Sequence, residues 1–235
     1  MFLTLGRGGR PGTKIIPDAV VIHWTANRNK GVDAIANRNY FENHPEAKVS
    51  AHYIVDDHQV VQCIPENEMA YHVGAKSYKP AALALLGNNP NAKTIGIEMC
   101  VNEDGNFHMT YNNTVKLTAL ILKKYGWKTN KLWRHYDITG KDCPVFFVVN
   151  SEAQKIGFTN AAEAWGQFIR DVGEILSGRD KVITDYTNHW AEEAIKKVMD
   201  KGLIVKTDKF RPNDPLTRAE FATVLAKLID RGVVK

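Results

Sequence analysis

The stretch from Trp133 to Pro144 reads WRHYDITGKDCP and crowds a histidine, a lysine and a cysteine into a segment rich in turn formers. Three readings compete for it: a metal site, a cysteine nucleophile with its base, or an ordinary loop around a packed thiol. His135 and Cys143 are too far apart for one helical face, but a folded loop joins them easily. A catalytic zinc ion takes three protein ligands and keeps a fourth position for water, so the metal reading needs another donor. His23 is the best candidate, because it interrupts the apolar run VVIHWTA, where an unpaired imidazole is costly to bury. Taken alone, a histidine in such a strand is more often a satisfied core residue, so spacing by itself leaves the alternatives open.

Glu98 adds weight to the metal reading. It ends the alternation IGIE inside a strand-like run, where a carboxylate needs a partner or a task. Beside a zinc-activated water it could serve as general base; the alternative is a strand-end carboxylate paired with an arginine. Lys141 stands two residues before Cys143, so an extended backbone points both side chains the same way. Its ammonium could then stabilise an oxyanion, whereas an isolated lysine is simply solvated. The Cys-His nucleophile reading leaves His23 and Glu98 without a role.

The elements that would position these residues follow from hydrophobic periodicity. Up to about residue 180, strand-like and helix-like patterns alternate, which predicts an α/β domain. DAVVIHWTA (18–26) reads as a buried strand, and 33–45 as a helix with Ile35, Tyr40 and Phe41 on its inner face. AHYIVDD and QVVQCIP form a hairpin, TIGIEMCV a further strand, and NNTVKLTALILKKYG a helix that Gly126 ends. LWRHYDI (132–138) is expected to be a strand running into the quoted loop. Residues 160–178 make an amphipathic helix through Trp165, Phe168, Ile169, Val172 and Ile175, opened by Asn160 and Glu163. Beyond Gly178 the pattern changes. RDKVITDYTN reads as a linker, and the helix that follows presents Trp190, Ala191, Ala194, Ile195, Val198 and Met199 on one face. A proline-broken loop leads to LTRAEFATVLAKLID, where Thr217 and Glu220 form a capping box ahead of Phe221, Val224, Leu225 and Leu228.

Composition bounds the function. The 235 residues are 44% hydrophobic and 24% charged, with a net charge of +5 and a pI near 9.0. No Lys/Arg-rich run marks a nucleic-acid arm. The basic balance suits a polyanionic surface such as a cell wall, or equally a merely soluble one. No run approaches the ~20 apolar residues of a membrane span. The opening MFLTLGRGGRPG lacks the longer apolar core of a secretory signal peptide, so a protein acting outside its cell would need another means of release. Three cysteines argue against a disulfide framework; Cys63 and Cys100 read as packed thiols.

The pieces VVIHWTA, SAHYIVDDHQVVQCIPENEMAYHVGA, TIGIEMC and RHYDITGKDCP occur in an order that resembles the zinc-dependent N-acetylmuramoyl-L-alanine amidases. Phage endolysins, bacterial wall-recycling amidases and animal peptidoglycan-recognition proteins share that family. The resemblance covers roughly residues 15–175 and implies a central mixed β-sheet flanked by helices. It implies His23, His135 and Cys143 as zinc ligands, Glu98 as catalytic carboxylate and Lys141 as transition-state stabiliser. Some relatives carry aspartate at the cysteine position, which is also an anionic ligand. His72 then looks like a substrate-groove residue near the stem peptide, and His52 a supporting one; Trp24, Thr25 and Asn27 would line the cleft. His44, His58, His108 and His189 are left as surface residues. A second stretch, residues 183–232, resembles a single S-layer homology repeat with VKTD where such repeats carry a glycine-rich turn. That resemblance implies attachment to secondary cell-wall polysaccharide through Arg218, or self-association; as a plain helix N-terminal residue, Arg218 would instead pair with an acid.

The expectation is therefore a two-domain peptidoglycan hydrolase: a zinc amidase over 1–178 and a small helical S-layer-homology-like domain over 179–235. It would cut the amide between N-acetylmuramic acid and L-alanine, as a phage- or prophage-type lysin released from the cytoplasm without a signal peptide. It would contact neither nucleic acid nor membrane interior. Two rivals stand beside it: a non-catalytic peptidoglycan-binding protein, and a zinc peptidase cutting within the stem peptide.

Overall fold

The computed structural model describes residues 2–179, 186, 189, 191–205, 210–212 and 214–232. The chain divides into two compact units, 1–181 and 182–235.

The first unit is built on strands β1 (Ala19–Trp24), β2 (Tyr53–Val55), β3 (Val60–Gln62), β4 (Thr94–Met99) and β5 (Leu132–Arg134). They form one sheet in the order β3-β2-β4-β1-β5, parallel throughout except for the β2–β3 hairpin. Parallel strands covered on both faces need near-continuous apolar sequence. AVVIHW and TIGIEM supply it, with Val20, Val21, Ile22, Ile95 and Ile97 fully buried; each such side chain contributes about 1.5–3 kcal/mol relative to exposure.

Helices α1 (Ala34–Asn43), α2 (Pro80–Leu86), α3 (Phe107–Tyr125), α4 (His135–Thr139), α5 (Asn150–Lys155) and α6 (Ala161–Leu176) flank the sheet. The hairpin strands carry α1, α3 lies on β4 and β2, and α6 packs on α3. Ala19 and Val21 share a core cluster with Ala82 and Leu86 of α2 and Ile138 of α4. Asn106 caps α3 by accepting the Met109 N–H at 3.2 Å, and Gly126 ends it with φ of 69°. Asn160 caps α6 in the same way.

The first unit departs from the sequence expectations in several places. The segment 132–138 is strand only to Arg134 and helix from His135, because Asp137 accepts the Arg134 N–H at 2.9 Å and also its guanidinium, a local cap that outcompetes extension. The inner face of α1 is Ala34 and Arg38, with Phe41 partly covered, while Ile35 and Tyr40 are exposed; the N-terminal segment draws Arg38 inward through the Phe2 carbonyl at 2.9 Å. Helices α2 and α5 carry too short a pattern to be read. Finally, α3 starts at Phe107, ahead of its apolar periodicity.

In the second unit, α7 (Glu192–Asp200) buries Ile195 and Met199 against Tyr186, with Ala191 and Phe210 alongside. Trp190, Lys206, Thr207 and Asp208 lie outside the described residues. The capping box opens α8 (Arg218–Asp230): Thr217 Oγ1 accepts the Glu220 N–H at 3.2 Å, and Glu220 accepts the Thr217 N–H at 2.9 Å. Val224 and Leu228 are half-buried, but Phe221 and Leu225 face outward. His189, expected at the surface, is buried and accepts the Ala191 N–H at 3.1 Å. Among the described residues no helix is long and apolar enough to cross a membrane.

Candidate metal centre and active site

In an open α/β sheet, ligands collect outside the carboxyl ends of parallel strands. Here β1 and β4 run parallel with His23 opposite Glu98, so their side chains emerge side by side at that edge. On the other flank of β1, β5 ends at Arg134, and the next residue is His135. Cys143 returns to the same place by a turn. Gly140 ends α4 with φ of 85°, a conformation that suits glycine, and the Tyr136 N–H then donates to the Cys143 carbonyl at 2.9 Å.

Three elements distant in sequence thus converge. His23 Nδ1 lies 3.1 Å from His135 Nδ1 and 3.7 Å from Cys143 Sγ, and one donor atom from each residue falls within 4.8 Å of the others. All three side chains are buried. Among the described residues this is the one group of His, Cys, Asp or Glu donors close enough to share an ion.

The site fits zinc on its own geometry. Tetrahedral bonds of about 2.0–2.1 Å to nitrogen and about 2.3 Å to sulfur place two nitrogens about 3.3 Å apart and a nitrogen and sulfur about 3.6 Å apart, close to what is seen. Burial holds His23 well below the ordinary imidazole value, helped by His72, His135 and Lys141. Burial and Lys141 lower His135 to about 4. Both rings are therefore neutral, the ligand form. Glu98 Oε2 is buried without a hydrogen-bond partner, an expense seldom tolerated unless a ligand or reaction uses the site. The nucleophile reading of Cys143 fails here: burial, then the Glu98 charge, pushes its thiol up to about 12, whereas a nucleophilic cysteine needs a lowered value and access.

Behind His23 stand two more histidines. His23 Nε2 meets His72 Nδ1 at 2.9 Å. His72 is buried and its ring meets that of His23 edge to face. His52 is fully buried too: its Nδ1 accepts the Gly96 N–H at 3.0 Å and its Nε2–H donates to the Glu68 carbonyl at 2.9 Å. These bonds brace the sheet.

Burial pushes the Glu98 carboxyl up to about 8, against the pull of Lys141. That is a base poised near neutral pH. Lys141 is exposed, yet its charge acts on His23, Glu98, His135 and Cys143 alike. Trp24 is half-buried, edge-to-face with Phe146 at 6.3 Å and under the Arg28 guanidinium. Thr25 is tied to the Met99 carbonyl by its N–H at 3.0 Å. Asn27 is exposed and accepts the Asn29 N–H at 3.1 Å, closing its own loop. Arg218 is exposed in the first turn of α8, in the second unit.

Sequence reasoning missed Thr94 and Gly96, which shape the layer under His23. The one available signal was a glycine inside an otherwise β-branched strand, a mark of close approach by a neighbour.

The profile of the N-acetylmuramoyl-L-alanine amidase family aligns with residues 11–146, more than half of the chain, and the chain belongs to that family. An S-layer homology domain profile aligns with residues 182–222. The N-acetylmuramoyl-L-alanine amidase CwlL of Bacillus licheniformis is 40% identical over 156 residues, covering 64% of this chain and 42% of that protein. BlyA of Bacillus subtilis (strain 168), also an N-acetylmuramoyl-L-alanine amidase, is 35% identical over 172 residues, covering 69% and 46%. The chain therefore spans less than half the length of these relatives. The solved catalytic domain of XlyA superposes with a TM-score of 0.59 at 29% identity, over 73% of this chain and 96% of that one.

Proposed function

We propose that the first unit hydrolyses the amide between N-acetylmuramic acid and L-alanine in peptidoglycan, using zinc held by His23, His135 and Cys143. The observation that carries this reading is the meeting of those three donors beside a half-buried carboxylate with an unpartnered oxygen. When bound, zinc supplies a Lewis acid and lowers the pKa of water toward ~7. Glu98 takes the proton of the attacking water and passes it to the departing alanine nitrogen, which its raised pKa allows near neutrality. The Lys141 ammonium offsets the negative charge that grows on the carbonyl oxygen. Trp24 and Asn27, which follow His23 in the chain and keep exposed surface, would meet the glycan or peptide.

The second unit is read as the wall-associating part, with the division near residues 178–182 separating it from catalysis. Its ligand would be an anionic secondary wall polysaccharide and its likeliest contact Arg218, with self-association as the other route to a complete site. In this reading the protein works on the bacterial wall after release from the cytoplasm, as a phage- or prophage-type lysin.

Digestion of chemically defined peptidoglycan by the zinc-loaded protein, followed by mass spectrometry, tests the bond. Expected are peptides that begin with a free alanine amine and glycan strands with free lactyl carboxylates. Fragments cut inside the stem peptide, or intact substrate, would overturn the assignment.

A further inference from the structure

The contacts behind His23 have a direction. Thr94 Oγ1 gives its proton to the Pro90 carbonyl at 2.7 Å, so toward His72 it offers only a lone pair. His72 Nε2 faces that oxygen at 3.1 Å and the Thr94 carbonyl at 3.3 Å, two acceptors. The hydrogen of a neutral His72 ring must therefore sit on Nε2, and the ring is buried against uncharged partners, which favours the neutral form. His72 Nδ1 is then an acceptor, and across 2.9 Å it can be satisfied only by a hydrogen on His23 Nε2. That leaves the other ring nitrogen of His23 bare, the one 3.1 Å from His135 and 3.7 Å from Cys143.

The relay needs room. A Cβ built on Gly96 would stand 2.6 Å from Cγ and Nδ1 of His72, closer than any side chain tolerates. The missing side chain is what lets the His72 ring pack against the strand at Gly96, and His52, bonded to the Gly96 N–H, pins that part of the strand.

We propose that His72, seated over Gly96 and oriented by Thr94, is a positioning residue that fixes the tautomer of His23 and aims its Nδ1 lone pair at the metal position. This rests on reading His23 as a ligand. The acceptor is a neutral imidazole where metal-bound histidines commonly have a carboxylate or carbonyl. It therefore orients the ligand without adding negative charge, and the ion keeps more of its Lewis acidity.

Two measurements test it. In metal-free wild-type protein, long-range ¹H–¹⁵N correlation of the histidine rings should show both His23 and His72 protonated at Nε2. Zinc competition against a chromophoric chelator should then separate an isosteric pair. His72→Asn keeps an acceptor facing His23 and should stay near wild-type affinity. His72→Leu has the same shape without the acceptor and should bind about 10–100-fold more weakly, the usual effect of losing such a partner. Gly96→Ala should weaken zinc binding with His72 intact. A His23 ring protonated at Nδ1, or equal affinities for the Asn and Leu variants, would overturn the proposal. Wild-type zinc affinity in His23→Ala would instead show that His23 is no ligand, and would remove the premise itself.

Discussion

Replacing Glu98 by glutamine should stabilise the metal-free protein while abolishing hydrolysis. An ordinary glutamate titrates at 4.5, and this one is pushed up to about 8 by burial. At pH 7 the unfolded chain has lost the proton and the folded chain retains it, so folding must take one up. The gap between 4.5 and 7 is about 2.5 pKa units, or about 3 kcal/mol against the folded state. Glutamine has the same shape and no charge to desolvate, although its amide leaves a poorly partnered polar group costing about 1–2 kcal/mol. The net gain at pH 7 is then about 1–2 kcal/mol, or roughly 2–8 °C in Tm for a unit of this size. The advantage should disappear at about pH 5–6 and reverse below it, where the cost of the amide is no longer offset, then grow as pH rises toward 8 and level off above it. Denaturation of both proteins in chelator at pH 4.5, 6, 7 and 8.5 measures this, following the transition that added zinc shifts. With zinc present the gap should narrow, because a divalent cation favours the carboxylate. A difference that ignores pH, or a variant less stable than wild type at pH 8, would refute the burial argument.

Other expectations are quicker to check. His23→Ala and Cys143→Ala should each lose stoichiometric zinc, seen by atomic emission, together with lytic activity; stoichiometric metal in both would show that the donor set is wrong. Chelation should lower the Tm of the wild type, since an ion at 1,000 times its Kd contributes about 4 kcal/mol. Glu66 should govern the acid limb of stability. Burial raises its carboxyl, but hydrogen bonds from Lys124, Tyr53 and Tyr125 outweigh that and hold it below the usual value. Its contribution is therefore present above pH 4.5 and lost as pH falls through the lowered pKa. Glu66→Gln should flatten the acid limb by about 1–3 kcal/mol in pH-dependent urea melts, the usual worth of charged hydrogen bonds; an unchanged acid limb would contradict it.

Much of the local structure was legible in the chain. Strands such as AVVIHW and TIGIEM carry their burial in β-branched composition, and the caps at Asn160 and Thr217 are local pairs that need no partner from afar. Local reading failed where a remote segment set the environment. The inner face of α1 went to Arg38 because the N-terminal segment offers it a carbonyl. In α8, Phe221 and Leu225 form an apolar face that the described residues leave exposed. One miss was local: His135 opens a helix because Asp137, three residues on, folds back on Arg134.

The amino-acid sequence by itself determined which donor types exist and near which strand ends they fall: two imidazoles, a thiolate-forming sulfur, a carboxylate and an ammonium. Only the tertiary structure decided that parallel pairing sets His23 beside Glu98 and brings His135 and Cys143 within reach of one ion. It also set His72 within 2.9 Å of His23. The physical reason is that hydrogen-bond direction and desolvation depend on neighbours through space, and a linear pattern records neighbours only along the chain.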